Sequence, residues 1–330
     1  MAPQRTRDNP LQVLLVGQWD VAEREAWHEA LRAACGGVAW HVAAEPGASI
    51  DVAVVANPPP GALQGLRGLR LIQSLWAGVD RLLDDPTLPP DVPIARMVDP
   101  MMTRAMAETV VWATLAVHRG FFTYARQQAE ARWLQHAQRR AEEVPVLVLG
   151  MGEMGGTAAR ALAALGYPVN GWSSGAVSGA GVPPDPSAAQ DGVRRLHGWP
   201  ALWPALAQAQ VVVNLLPLTA RTRGLIDARF LATMPRGAAL LNLARGAHVV
   251  EADLLRALDD GHLGHAVLDV FPAEPLAPEH RYWRHARVTV LPHVAALTDR
   301  RSAAGVVADN LLRAARGEPA RHLVHRGRGY

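Results

Sequence analysis

At 330 residues the chain is long enough for about two domains that each bury a core, and 49% hydrophobic against 19% charged residues is a globular balance. All 33 basic residues are arginine, which excludes lysine Schiff-base chemistry, pyridoxal phosphate attachment and a P-loop lysine. The net charge of +3 is interspersed, which argues against a nucleic-acid partner, and the lone Cys35 excludes an internal disulfide framework or a cysteine-rich zinc site, so no metal is expected.

In chain order, the charged start MAPQRTRDNP has no apolar stretch leading to a cleavage site, so no signal peptide is expected and the expected location is cytoplasmic. No apolar run reaches the ~18 residues of a membrane span. Residues 12–16 read as a strand, and Asp20 is placed to N-cap a helix to Ala34, with Trp27, Leu31 and Ala34 on one face. Residues 51–56 and 69–75 read as further strands, the first ended by Pro58-Pro59-Pro60, and proline-rich 85–93 closes this region. From 101 to 135 there is no proline, and a single glycine, Gly120, interrupts a long helical pattern. A strand at 144–149 opens a second alternating series, continued at 169–172, 211–216, 238–243, 266–270 and 288–291, before a last helix over about 300–316. Strands alternating with helices indicate βαβ units, parallel sheets and an α/β fold. The helical segment 302–315, packed back on the first region, would make that domain discontinuous.

The strand at 144–149 runs directly into Gly150-Met151-Gly152-Glu153-Met154-Gly155, and a helix pattern through Ala158, Ala161, Leu162 and Leu165 follows. Strand, glycine turn and helix in that order form the context a dinucleotide pyrophosphate needs: glycines allow close backbone approach, and the helix start offers free N–H groups. NAD sites carry an acidic residue about 20 positions further on. Here the corresponding strand ends in Trp172-Ser173-Ser174, with no carboxylate before Asp185. That favours NADP(H) over NAD(H), with NAD(H) still open. The cations that would have to fold toward a 2′-phosphate are Arg194, Arg195, Arg221 and Arg223, the last two reading first as turn residues.

Three later strands end in ionisable segments: Asn242-Leu243-Ala244-Arg245-Gly246, Asp269-Val270-Phe271-Pro272-Ala273-Glu274-Pro275 and Pro292-His293. Together they supply what 2-keto acid reduction needs: a fixed cation for the substrate carboxylate, an imidazolium to protonate the carbonyl, and a carboxylate to keep that ring charged. The ordered set, with the Gly150 loop, Val213-Asn214-Leu215-Leu216-Pro217-Leu218-Thr219 and Ala77-Gly78-Val79-Asp80, resembles the D-isomer-specific 2-hydroxyacid dehydrogenases over most of the chain. Leu243 to Gly246, Trp283-Arg284-His285 and Arg328-Gly329-Tyr330 look most like the glyoxylate/hydroxypyruvate reductase A branch.

The resemblance implies two Rossmann-like or flavodoxin-like domains with parallel sheets and an active site in the interdomain cleft. A substrate-binding domain would comprise 1–98 with 298–330, and an NAD(P)-binding domain 99–297. Arg245 would clamp the substrate, His293 would donate the proton as hydride leaves the nicotinamide, and Glu274 would hydrogen-bond the ring and favour the imidazolium. Asp269 would accept from the nicotinamide carboxamide, and backbone N–H groups of Trp76, Ala77 and Gly78 would meet the substrate carboxylate. The cofactor-binding set would be Gly150, Met151, Gly152, Glu153, Met154, Gly155, Trp172, Ser173, Ser174, Leu216, Pro217, Thr222, Leu243 and Ala244. The chain departs from the family pattern at Trp76, where a small residue is common, and at Ser173-Ser174, which lacks an arginine. The implied activity is NAD(P)H-dependent reduction of a small 2-keto acid by a homodimer, with 101–135 as its interface. The alternative is a dinucleotide-sensing binding protein on the same fold. His262, His265, His280 and His285 read as exposed histidines, and Trp199, Trp203 and Trp283 as core anchors.

Overall fold

The computed structural model describes residues 10–175 and 191–330, so the charged start at 1–9 and Asp185 lie outside the described residues. The chain divides into two compact units, one running to Met102 and resuming at Thr298–Tyr330, the other Thr103–Leu297. In the first unit, β1 (Leu11–Gly17), α1 (Val21–Ala34), β2 (Val38–His41), β3 (Val52–Ala56), β4 (Leu71–Ser74), α2 (Asp80–Leu83) and β5 (Ile94–Ala95) follow one another. The strands form a parallel sheet in the order β2-β1-β3-β4-β5, the flavodoxin-like arrangement. Asp20 caps α1 by accepting the Glu23 N–H at 2.8 Å, and Trp27 and Leu31 are the residues α1 buries. Cys35, at the end of α1, is buried, and burial pushes its thiol up to about 11, which leaves it an inert core residue.

The remaining helices and strands are α3 (Pro100–His118), α4 (Phe121–Ala129), β6 (Val146–Leu149), α5 (Glu153–Ala164), β7 (Val169–Ser173), β8 (Val193–His197), α6 (Trp199–Leu206), β9 (Val211–Asn214), α7 (Ala228–Thr233), β10 (Ala239–Asn242), α8 (Glu251–Asp259), β11 (His265–Leu268), β12 (Val288–Val290) and α9 (Arg300–Ala315). Strands β6 to β12 form a seven-stranded parallel sheet in the order β12-β11-β10-β9-β6-β7-β8, the Rossmann order with one added strand. Both faces are covered, which is why β6 and β9 read as unbroken apolar runs. Alternate side chains serve opposite cores: Leu147, Leu149, Val212 and Leu240 pack with Phe230 and Leu254, whereas Val146, Val148, Val213 and Leu241 pack with Val110 and Leu162. Helix α9 returns to the first unit against α1, β3 and β4, and Asn310 donates from Nδ2 to Gln73 Oε1 at 2.6 Å. Among the described residues, no helix is long and apolar enough to cross a membrane.

The helical pattern expected over 101–135 is two helices, and the second stops at Ala129. It ends in a Schellman motif: Arg132 N–H bonds Gln127 O at 2.8 Å, Ala131 N–H bonds Gln128 O at 3.1 Å, and Ala131 takes φ +51°. His265 is a second correction, because it opens β11 and is only 8% exposed. Its ring stacks on Phe122 with centroids 4.4 Å apart, and Nε2 lies 2.9 Å from Thr289 Oγ1. Burial, assisted by the Arg126 and His285 charges, lowers its pKa from 6.5 to about 4. The folded state therefore rejects a proton that the unfolded ring accepts. The stabilisation is complete above pH 6.5 and is lost as pH falls to about 4. Urea denaturation should show His265→Gln losing up to about 3 kcal/mol less stability than the wild type over that window. Parallel losses in the two proteins would refute the assignment. The other histidines are also held: His262 Nε2 lies 3.0 Å from both Leu231 O and Met234 O, His280 Nε2 lies 3.2 Å from Glu251, and His285 Nε2 lies 3.2 Å from Asp259. Trp283, expected in the core, is 48% exposed.

Candidate active site

Strand order in the larger sheet reverses between β6 and β9, the switch point where open α/β sheets place ligands. The glycine loop lies there. Gly150 has φ +94°, and a Cβ on it would come within 2.5 Å of Leu215 O. Gly155, in the first turn of α5, would carry its Cβ 1.8 Å from Gly150 O. These two glycines are required by the protein's own packing. Gly152 differs: it N-caps α5 with no side-chain cap, and nothing lies within 4 Å of where its Cβ would be. The open space above an uncapped helix start fits a dinucleotide pyrophosphate. Glu153 is exposed, while Met151 and Met154 pack partly into the core, Met151 against Gly171.

At the ends of β9 and β10 lies a buried polar network that sequence reasoning missed. Asn214 donates from Nδ2 to Asn242 Oδ1 and to His248 Nδ1, both at 2.9 Å. Asn242 Nδ2 donates to Arg245 O at 3.0 Å, and His248 Nε2 lies 3.3 Å from Pro217 O. With Nδ1 accepting, His248 is the tautomer that donates from Nε2. The three side chains, each no more than 1% exposed, tie the Arg245 loop to the Leu216-Pro217 loop. Their signal was available in two apolar strands, Val-Val-Val-Asn and Ala-Leu-Leu-Asn, that end in asparagines paired in register. Leu243 and Ala244 are buried, and Arg245 is half-buried with its guanidinium donating to Ala244 O at 2.8 Å. Gly246 packs flat on the loop after β11, where a Cβ would approach the Phe271 carbonyl carbon to 2.0 Å.

That loop supplies the groups that fix His293, which lies in the turn just past β12. His293 Nδ1 and Glu274 Oε2 are 2.8 Å apart, and Glu274 Oε1 accepts the Phe271 N–H at 2.9 Å, so both carboxylate oxygens are fixed. His293 takes φ +56°, a conformation uncommon for a non-glycine residue, and three consecutive N–H groups hold it there. His293 N–H bonds Asp269 O at 2.9 Å, Val294 N–H bonds Asp269 Oδ1 at 2.7 Å, and Ala295 N–H bonds Oδ2 at 3.1 Å. Burial raises the Asp269 pKa from its ordinary value, although the two N–H groups pull it down. The histidine ring is 52% exposed and Glu274 is 22% exposed, so the pair faces solvent from a rigid base.

Three expected contacts are taken up by the protein itself. Thr222 is buried, with its hydroxyl donating to Pro217 O at 2.8 Å and accepting the Thr219 N–H at 2.8 Å, so it closes a turn. Trp172 is fully buried and donates from Nε1 to Gly198 O at 2.8 Å, so only its backbone sits at the strand end. In the first unit, Trp76 N–H donates to Ser74 Oγ at 3.0 Å and its ring meets Trp27 edge-on, which leaves Ala77 and Gly78 as that loop's donors.

A glycine loop at a switch point, with an arginine, a carboxylate and a histidine that follow three successive strands of the sheet, β10, β11 and β12, defines an NAD(P)-dependent oxidoreductase. The model of the D-isomer specific 2-hydroxyacid dehydrogenase NAD-binding domain matches residues 111–295. The chain is 40% identical over 285 residues to glyoxylate/hydroxypyruvate reductase A of Klebsiella pneumoniae (strain 342), covering 85% of this chain and 88% of that protein. Two solved structures are similar over 97% of this chain and 100% of theirs. One is a D-isomer specific 2-hydroxyacid dehydrogenase from Xanthobacter autotrophicus Py2 in complex with NADPH and MES, at 38% identity and TM-score 0.88. The other is an NADPH-dependent glyoxylate/hydroxypyruvate reductase from Sinorhizobium meliloti in complex with NADP and sulfate, at 35% identity and TM-score 0.86. The chain belongs to the D-isomer specific 2-hydroxyacid dehydrogenase family and is an NAD(P)H-dependent 2-hydroxyacid reductase.

Proposed function

We propose that the protein reduces a small 2-keto acid of the glyoxylate or hydroxypyruvate class to the D-2-hydroxy acid, using NADPH in preference to NADH and acting as a homodimer. The observation that carries this reading is the His293–Glu274 pair, seated on Asp269, one strand end from Arg245. A bound reduced nicotinamide supplies the hydride. Arg245 binds the substrate carboxylate and carbonyl through its planar fork of donors. His293, held at Nδ1 by Glu274, presents Nε2 and gives its proton to the carbonyl oxygen. Asp269 fixes the turn that carries the ring. Gly150 to Gly155 take the pyrophosphate, Ser173 and Ser174 the adenosine ribose, and Leu216, Pro217, Leu243 and Ala244 line the nucleotide. Ala77 and Gly78 are the N–H donors for the substrate carboxylate.

Two observations support NADPH: no carboxylate stands at the end of β7 among the described residues, and the two related structures contain NADPH and NADP. The homodimer is supported by large apolar side chains exposed along one segment: Trp112 at 44%, Phe121 at 55% and Trp133 at 96%. The test crosses NADPH and NADH with glyoxylate, hydroxypyruvate, pyruvate and bulkier keto acids, followed by nicotinamide absorbance, with light scattering on the same protein. The expected result is fast turnover of the two smallest substrates with NADPH, at twice the 35.4 kDa chain mass. NADPH binding with no keto acid reduced would sink the substrate assignment, and a monomer would sink the assembly.

A further inference from the structure

We propose that Ser173, His197 and Arg221 form the subsite for the 2′-phosphate of NADPH, replacing the arginine that the end of β7 lacks; this rests on the NADPH reading above. Ser173 and His197 are partners in the parallel register of β7 and β8, and their Oγ and Nδ1 atoms lie 2.9 Å apart. The two strand ends are fastened together. Gly198 N–H bonds Ser173 O at 2.9 Å, and Trp172 Nε1 returns to Gly198 O at 2.8 Å. With Nδ1 engaged by the serine, Nε2 of His197 is, among the described residues, left for a ligand.

The cation comes from the loop after β9. Trp199 packs edge-on against Trp172, the residue preceding Ser173, with centroids 5.1 Å apart, and the Arg221 guanidinium lies 5.0 Å from the Trp199 ring centroid. Such an aromatic platform restrains a guanidinium while leaving its in-plane N–H donors available. No carboxylate pairs with Arg221 among the described residues. The competing cations are placed elsewhere. Arg195 is spent on Asp191, with N–O distances of 3.1 and 2.7 Å. Arg194 lies three residues back along β8, roughly 10 Å from the strand end. A serine hydroxyl, an imidazole and a guanidinium with no carboxylate partner among the described residues suit a phosphate dianion far better than a ribose 2′-hydroxyl.

The test measures dissociation constants by fluorescence for NADPH and NADH, and by displacement for adenosine 2′,5′-bisphosphate and 5′-AMP. It uses the full chain and the Arg221→Ala, Arg221→Lys and His197→Ala variants. Arg221→Ala and His197→Ala should each weaken NADPH and the bisphosphate about tenfold to a hundredfold, the scale of a charge-assisted hydrogen bond, and leave NADH and AMP within about twofold. Arg221→Lys should retain part of the preference. Unchanged NADPH affinity in both alanine variants, or equal losses for NADPH and NADH, would overturn the subsite while the NADPH preference stood. A wild-type protein that binds the two cofactors equally would overturn the NADPH reading and the subsite with it.

Discussion

His293→Gln is expected to lower keto-acid reduction by roughly 10²–10⁴-fold and to leave NADPH affinity unchanged. Glutamine has nearly the reach of histidine and is neutral, so it fills the site and still hydrogen-bonds Glu274, but it has no proton to give the carbonyl oxygen. The backbone at this position sits at φ +56° and is held by Asp269 through three N–H groups of the main chain, which the substitution leaves in place. The loss should therefore appear in kcat, with thermal stability close to wild type. Glu274→Gln should give a smaller loss of the same kind, because the ring loses a charged partner 2.8 Å away while the Phe271 N–H keeps an acceptor. Steady-state kinetics paired with fluorescence titration of NADPH separates the two effects. Full turnover in His293→Gln, or a loss confined to cofactor affinity, would remove the histidine from the proton's path.

Much of this site was legible because its parts are local. The Gly150 loop, the Arg245 loop and the turn carrying His293 each follow an apolar strand, and a parallel sheet places successive strand ends side by side. Edge strands were harder to read. β2, β5 and β8 were missed because a strand covered on one side needs no apolar run: β8 is Val-Arg-Arg-Leu-His, and β5 is two residues long. The stop of α4 at Ala129 was invisible for a different reason. Its Schellman motif uses an alanine in the left-handed region where a glycine would have announced it. The His248 network depends on groups brought from β9, β10 and the loop beyond, and a hydrogen bond across 34 residues leaves no periodicity. Arg221 read as a turn residue because the ring it lies over, Trp199, is 22 positions away and reached only through the fold.

Gly152 and Gly155 should separate cofactor binding from folding, because they share a motif but not a reason for being glycine. A Cβ on Gly155 would come 1.8 Å from Gly150 O, closer than any real contact, and the obstacle is backbone that cannot rotate away. Gly155→Ala is therefore expected to force the loop off α5 and to cost about 2–3 kcal/mol of stability, with nucleotide binding lost as a consequence. Gly152 has φ −75° and ψ −164°, which alanine adopts without strain, and its Cβ would point into open space. Gly152→Ala should melt within a few degrees of the wild type yet bind NADPH and NADH at least tenfold more weakly, since the added methyl occupies the space through which a pyrophosphate reaches the α5 N–H groups. Thermal melts read the first effect and fluorescence titrations the second. If Gly152→Ala kept full affinity for both dinucleotides, the pyrophosphate would have to lie elsewhere, and the absent side chain would have no chemical purpose in this loop.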